Sequence, residues 1–262
     1  MIVINGEKLE ISNFPDGALL IKFALSAKQA NIQWFYENDG ELFTLICAAK
    51  HLKRINPNIS LSLFLPYIPH SRMDRVYDDC DVFTLKYFAD AINSLGFSKV
   101  TVLDPHSNVS PALIDNIQVL SPMPLIKKAI DYTKSEAPLL YYPDSNAANK
   151  YSKLIPSPYC YGNKKRNWSD GKIIGLDIIA TSVTIEGRNI LMIDDIISYG
   201  GSMYHSALAL KELGAKNIYA FASHVENSIL QGKLVQSNLI NRIFTTNSLY
   251  TGNHELITVI DL

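Results

Sequence analysis

Short apolar runs of strand length alternate along this chain with longer stretches in which apolar residues return every three or four positions. These are the two periods that separate strands from amphipathic helices. In the first half the pattern predicts strands at residues 2–4, 8–11, 19–23, 32–35, 60–65 and 99–103, and helices at 41–54 and 84–95. The first helix, opened by Asn38-Asp39, carries Leu42, Leu45, Ile46, Ala49 and Leu52 on one face, and that stripe reads as core. From Asn116 the pattern restarts, with a strand at 117–120, a helix at 125–132, a strand at 139–142, a short segment at 159–161 and a hairpin-like stretch at 172–183. Two more strands, 242–246 and 256–260, follow near the end. Strands alternating with helices predict an α/β protein with mainly parallel sheets.

The most informative stretch is NILMIDDIISYGGSMYHSALALKELGAKNIYAFASH, residues 189–224. Its apolar strand, 189–193, stops at the adjacent carboxylates Asp194 and Asp195, and a small-residue loop with Gly200 and Gly201 follows. Ser202 is suited to cap a helix bearing Ala207, Leu210 and Leu213, Gly214 ends it, and 217–223 resumes as a strand, giving a right-handed βαβ crossover. The glycines let backbone N–H groups approach an anion at the helix N-terminus. Two adjacent acids repel each other and call for a cation or a polyol, and ligands of open α/β sheets bind at that edge. A plain αβ turn with a glycine pair is the alternative, because short glycine motifs recur widely.

Composition narrows the class. With 262 residues, 47% hydrophobic content and a formal net charge of −1, the chain can bury one large core or two small ones and carries no electrostatic footprint for nucleic acid or anionic membrane. No apolar run reaches the roughly 18 residues of a membrane span, and the N-terminus lacks the pattern of a signal peptide, so a soluble cytoplasmic protein is expected. Cys47, Cys80 and Cys160 are odd in number and widely spaced, which fits reduced thiols.

Five further segments carry chemistry. Phe14-Pro15-Asp16-Gly17 is a turn, and His70-Ser71-Arg72-Met73-Asp74-Arg75 is a charged loop directly after a strand. Asp104-Pro105-His106 and Pro143-Asp144-Ser145 each follow a strand, and Asn163-Lys164-Lys165-Arg166 is a basic run. Each has an ordinary reading: a turn, a solvated loop, a structural histidine, a charged surface.

Together with Ser198-Tyr199-Gly200-Gly201-Ser202 these segments resemble a known family. The 194–202 region looks like the ribose-phosphate-binding loop of type I phosphoribosyltransferases and of ribose-phosphate diphosphokinases, the phosphoribosyl pyrophosphate synthetases, and the flanking GAKNIYAFASH favours the second. The turn resembles that family's F-S-D-G-E, with Ala18 replacing its acid, which implies ATP contacts for Phe14 and Asp16. The loop after the strand at 60–65 resembles P-Y-x-x-x-R-Q-D-R, implying ATP contacts for Arg72 and Met73, the latter standing where the family has glutamine. D-x-H implies that His106 binds ATP and its magnesium, and S-P-D-x-G implies that Asp144 helps hold metal, with Asn146 replacing the glycine. D-K-R-R-x-R implies catalytic roles for Lys164 and Arg166, although asparagine replaces the aspartate and Trp168 the final arginine.

The resemblance implies two tandem phosphoribosyltransferase-like α/β domains, 1–118 on the ATP side and 119–262 bearing the ribose-phosphate loop. It further implies a homodimer or higher homo-oligomer. The implied reaction is magnesium-dependent transfer of the diphosphate of ATP to an anomeric hydroxyl, releasing AMP. Asp194 and Asp195 would hold ribose hydroxyls, and Ser198, Tyr199, Gly200, Gly201 and Ser202 the 5-phosphate. Because Ser198-Tyr199 replaces the family's Asp-Thr, the acceptor is either ADP-ribose, as in a subgroup acting in viral NAD⁺ salvage, or ribose 5-phosphate. The alternatives of other classes are a phosphoribosyltransferase and a catalytically silent regulator on the same fold.

Overall fold

The computed structural model describes residues 1–133, 137–166, 173–180 and 183–262, with 164–166 and 173–174 described through their backbone. The chain forms two compact units, Met1–Ser121 and Pro122–Leu262.

The first unit runs β1 (Ile2–Ile4), β2 (Glu7–Lys8), β3 (Ile11–Asn13), β4 (Leu19–Ile21), β5 (Gln29–Trp34), α1 (Gly40–Ile55), β6 (Ser60–Phe64), α2 (Thr84–Ser94), β7 (Lys99–Leu103), α3 (Val109–Leu113) and β8 (Ile117–Leu120). Its six-stranded sheet has the order β2-β1-β5-β6-β7-β8, parallel from β5 to β8 with β1 and β2 antiparallel, while β3 and β4 form a separate hairpin. Helix α1 buries Leu45, Ala49 and Leu52 from the expected stripe, together with Glu41, Thr44 and Ala48, while Leu42 and Ile46 pack at the margin of the core. Helix α2 adds Leu85, Phe88, Ala89 and Ile92. The core is built on Trp34, Leu61, Leu63, Val100 and Val102 from the sheet.

The second unit runs α4 (Met123–Tyr132), β9 (Leu139–Tyr142), α5 (Ser145–Tyr151), β10 (Tyr159–Arg166), β11 (Ile173–Ala180), β12 (Asn189–Ile197), α6 (Gly201–Glu212), β13 (Asn217–Val225), a 3-10 turn at Asn227–Gln231, α7 (Lys233–Gln236), β14 (Arg242–Thr246) and β15 (Ile257–Ile260). Its seven strands lie in the order β11-β10-β9-β12-β13-β14-β15, all parallel except the β10–β11 pair. Helix α6 buries Met203, Ala207 and Leu210 against Ile190, Met192 and Ala220.

Several expectations change. Strand β12 does not stop at Ile193. It pairs with β13 through Asp194↔Ala222 and on to Ile197↔Val225, because a parallel ladder is made by the backbone and tolerates carboxylates that reach its carboxyl edge. Ser202 does not cap α6: the N-cap is Gly200, in the left-handed conformation at φ 76°, and no side chain caps the helix. Leu213 is exposed, because the helix closes in a Schellman turn in which Ala215 N–H donates to the Leu210 carbonyl at 3.0 Å and Gly214 takes φ 83°. The hairpin-like stretch is β11 paired with a β10 that continues to Arg166, and residues 172 and 181–182 lie outside the described residues. Helices α3, α5 and α7 were not expected, being too short to show a helical period.

Buried Glu41 ties the first unit together. Its carboxylate accepts the Trp34 indole N–H at 2.8 Å and the Glu37 amide at 2.9 Å, and it pairs with the Met1 ammonium. Glu41→Ala orphans the buried Trp34 indole N–H and the partly buried Glu37 amide and is expected to cost about 1–3 kcal/mol, the scale of one buried unsatisfied group, with Glu41→Gln losing less. Urea unfolding followed by Trp34 fluorescence in a Trp168→Phe background checks this, and a midpoint unchanged in Glu41→Ala would refute it.

Candidate active site

In the second unit the chemistry gathers at the carboxyl ends of β9, β10 and β12. Asp144, directly after β9, caps α5: its Oδ1 accepts the amide N–H groups of Asn146 and Ala147, each at 3.1 Å. Asp194 and Asp195 sit near the end of β12, the neighbouring strand. Side-chain alternation along a strand starts the two carboxylates on opposite faces, but Asp194 turns back so that its Oδ1 accepts the Asp195 N–H at 3.0 Å. Burial raises the Asp194 pKa well above the ordinary carboxylate range, and the neighbouring Asp195 and Asp144 charges add to it. Three acids are thus concentrated at one edge.

The loop from β12 to α6 holds Ser198, half-buried, and Tyr199, 59% exposed. Gly200 and Gly201 differ in what surrounds them. A Cβ on Gly200 would stand 3.0 Å from Leu234 at a φ that disfavours any side chain, so glycine there serves the chain itself. Gly201 has ordinary φ, and among the described residues a Cβ would meet no atom within 4 Å beyond its chain neighbours and the backbone of its own helix, so its side faces open space. Ser202 follows inside the first turn of α6, half-buried.

Lys164 and Arg166 lie on β10, opposite Leu176 and Ile173 of β11, with the register shifting between Lys165 and Arg166. Their side chains lie outside the described residues, as does Trp168. Sequence reasoning missed how the strand is placed. A Cβ on Gly162, two residues before Lys164, would strike the Tyr141 hydroxyl and the Pro143 carbonyl, so β10 passes tightly beside the Asp144 segment. Tyr141 is fully buried and donates to Ser206 Oγ on α6 at 2.8 Å, which ties β9 to that helix. Burial pushes its phenol pKa upward, helped by the Asp144 and Asp194 charges.

The first unit places its candidates on three segments. Phe14, 50% exposed, and Asp16 form the tip of the β3–β4 hairpin, where Asp16 Oδ1 accepts the Ala18 N–H at 2.9 Å and Gly17 takes φ 87°. Arg72 and Met73 are exposed on the loop after β6, and His106 is exposed on the loop after β7. Asp74 joins those two loops. It takes a bidentate pair from Arg75 at 2.7 and 3.0 Å, and Arg75 first, then Ser107 and the nearby His106, hold its carboxyl below the ordinary range. A further group at the same edge was not singled out: Tyr36 donates to Asp39 at 2.9 Å, and His70 Nε2 lies 3.0 Å from the same oxygen, with His70 at φ 62°. Buried Asp104, two residues before His106, also has positive φ, 43°, a backbone cost that recurs at binding loops.

No family model matches the chain. It is 25% identical over 263 residues to the ribose-phosphate pyrophosphokinase of Saccharolobus solfataricus, covering 96% of this chain and 88% of that protein. It is 26% identical over 251 residues to that of Thermococcus kodakarensis, covering 93% and 86%. Ribose-phosphate pyrophosphokinase 2 of Enterococcus faecalis is 25% identical over 267 residues, covering 97% and 80%. Among solved structures, phosphoribosylpyrophosphate synthetase from Mycobacterium smegmatis superposes with a TM-score of 0.79 at 18% identity, over 97% of this chain and 86% of that one, a likeness of fold.

The raised Asp194 pKa has a sign. A carboxyl group whose folded pKa exceeds its unfolded one contributes fully to stability below the unfolded value and loses that contribution as pH rises through the folded value. Asp194→Asn is therefore expected to raise the melting temperature of the unliganded protein at neutral pH and to flatten its decline toward alkaline pH. Calorimetry across pH decides this, and a destabilised variant at neutral pH would show that Asp194 is held by favourable contacts instead.

Proposed function

We propose that this enzyme, which belongs to the ribose-phosphate pyrophosphokinase family, transfers the diphosphate of ATP to the anomeric hydroxyl of a ribose 5-phosphate moiety and releases AMP. The observation that carries the reading is the division of labour at the β12–α6 loop: Gly200 is explained by the protein, whereas Gly201 opens onto space at a helix N-terminus beside concentrated carboxylates. A phosphate against Gly201 and ribose hydroxyls donating to Asp194 and Asp195 satisfy both features at once.

In this reading Ser198, Tyr199, Gly200, Gly201 and Ser202 hold the 5-phosphate. The anomeric oxygen bonds to the β-phosphorus, the bond from that phosphorus to the α,β-bridging oxygen breaks, AMP leaves with that oxygen, and the hydroxyl proton passes to solvent. Lys164, Arg166 and Arg72 offset the charge that spreads over the transferred diphosphate, while Phe14, Asp16, Met73 and His106 contact ATP. Magnesium fits as a partner of the substrate. Among the described residues Asp144, Asp194 and Asp195 are not arranged as a ready-made metal cage, and Mg²⁺ typically takes one or two protein groups with the remainder from phosphate oxygens and water. Asp144 and His106 are the groups we assign to it, and when bound it neutralises phosphate charge. Assembly as a homodimer or larger homo-oligomer belongs to the same reading.

For the acceptor we infer ADP-ribose, giving ADP-ribose 1-pyrophosphate, over the ribose 5-phosphate that the relatives' names favour. The supporting observation is Tyr199. The residue is 59% exposed at the loop tip and offers an aromatic surface on which a base can stack, as aromatic side chains do in nucleotide sites.

Incubation with ATP, magnesium and each acceptor, reading AMP by mass, tests the reaction, and the ratio of kcat/KM values ranks the acceptors. ADP-ribose is expected to lead, and a clear preference for ribose 5-phosphate sinks that choice alone. Lys164→Ala is expected to lower turnover at least ~10²-fold with the fold intact, the scale of one lost preorganised charge contact. Undiminished AMP formation in that variant would remove Lys164 from the mechanism.

A further inference from the structure

Glycine at position 232 has no conformational cause. Its backbone, φ −84° and ψ 153°, is extended, a region open to every residue, and it lies buried at the start of α7. What forbids a side chain is a contact: a Cβ there would fall on the carbonyl group of Tyr199, in the β12–α6 loop. Other contacts join the same two segments. The Glu226 N–H donates to the Ile197 carbonyl at 2.8 Å, fixing the start of the 3-10 turn to the last residue of β12. Leu234, fully buried in α7, fills the space behind Gly200, where a Cβ would stand 3.0 Å from two of its carbons. Ile229, Leu234 and Val235 share one core with Ile197 and Met203, the apolar residues on either side of the loop. The segment 226–236 thus lies against one side of the loop, Gly201 opens on free space, and the Tyr199 ring is exposed.

We propose that the segment 226–236 is a rigid backstop that sets the position of the β12–α6 loop, with Gly232 and Leu234 as positioning residues for the phosphate end of the acceptor. This rests on the reaction assigned above, in which that loop holds the acceptor phosphate. Neither residue touches substrate. Gly232 lets the Tyr199 carbonyl approach until the loop is seated, and Leu234 stops the loop from sinking further, so the N–H groups at 200–202 are held at one height. Closely packed interiors transmit such a constraint, since neither side has free volume to absorb a shift.

Gly232→Ala is the test. The alanine is compatible with the local backbone, so the fold is expected to persist, while the Tyr199 carbonyl must retreat by roughly 1 Å, a displacement that can cost on the order of 10²-fold at a reacting centre. The expected result is a KM for the ribose-phosphate acceptor raised at least ~10-fold, with KM for ATP within about 2-fold, and a crystal structure showing the Tyr199 carbonyl displaced. A purely structural role would lower the active fraction, and hence kcat, without this split. Should Gly232→Ala fail to fold, Leu234→Val removes one methylene under Gly200 and is expected to give the same split at smaller size. Unchanged acceptor KM with an unmoved carbonyl overturns the proposal. A wild-type chain that makes no AMP with any ribose phosphate overturns the assigned reaction instead, and the position of the Tyr199 carbonyl in the variant then decides the backstop alone.

Discussion

The parallel pairing of β12 with β13 is the contact on which the second unit's chemistry depends. The ladder runs from Asn189↔Asn217 to Ile197↔Val225 and carries two acids in its carboxyl-terminal half. Without the flanking Ile193, Ile196 and Ile197 to anchor the strand, mutual repulsion would drive Asp194 and Asp195 apart and into water. The apolar residues instead hold both carboxyls at the sheet edge, at a cost that shows in the raised Asp194 pKa. A site built this way is least comfortable when empty. Hydroxyl donors or a cation recover what burial costs, so the strain of the free protein becomes selectivity for ligands that bring them.

Much of this was legible in the sequence for identifiable reasons. The alternation of strand and helix gave the α/β class because each element long enough to show a period shows it, as α1 does with Leu45, Ala49 and Leu52. The loops bearing Asp144, His106 and Gly200 were legible because turn chemistry and charge interrupt apolar runs at fixed places. Two local readings failed together at β12. In sequence the acids read as the end of a strand, and Ser202 as a cap, because composition marks where a backbone can change course but not whether neighbouring strands hold it straight. Gly200 in the left-handed conformation made the turn without a capping side chain.

The remainder was invisible because it is made by residues far apart in sequence. Tyr141 meets Ser206, Gly162 meets Tyr141 and the Pro143 carbonyl, and His70 meets Asp39. None of these residue types is rare, and none stands in a telling local pattern. The same holds for Asp74, which links the loop bearing Arg72 to the loop bearing His106 through Ser107. Such residues place functional groups without resembling them. The departures from the resembled motifs at Ala18, Met73 and Tyr199 fall on exposed positions, where substitution leaves the supporting contacts untouched.

Glycine shows most plainly why position must be read in three dimensions. Gly200, Gly201 and Gly232 converge on a single loop, yet each is glycine for a different cause. The first needs a left-handed backbone, the second leaves an open side, and the third yields space to a carbonyl from another segment. Only the first cause is local, and only the pair at 200–201 forms a motif. A substitution at any of the three would reach the same backbone amides, but by a different physical route: strain in φ, obstruction of the open face, or displacement from behind. The loop is therefore backed by Leu234 and Gly232 on one side and left open where Gly201 and Tyr199 face free space.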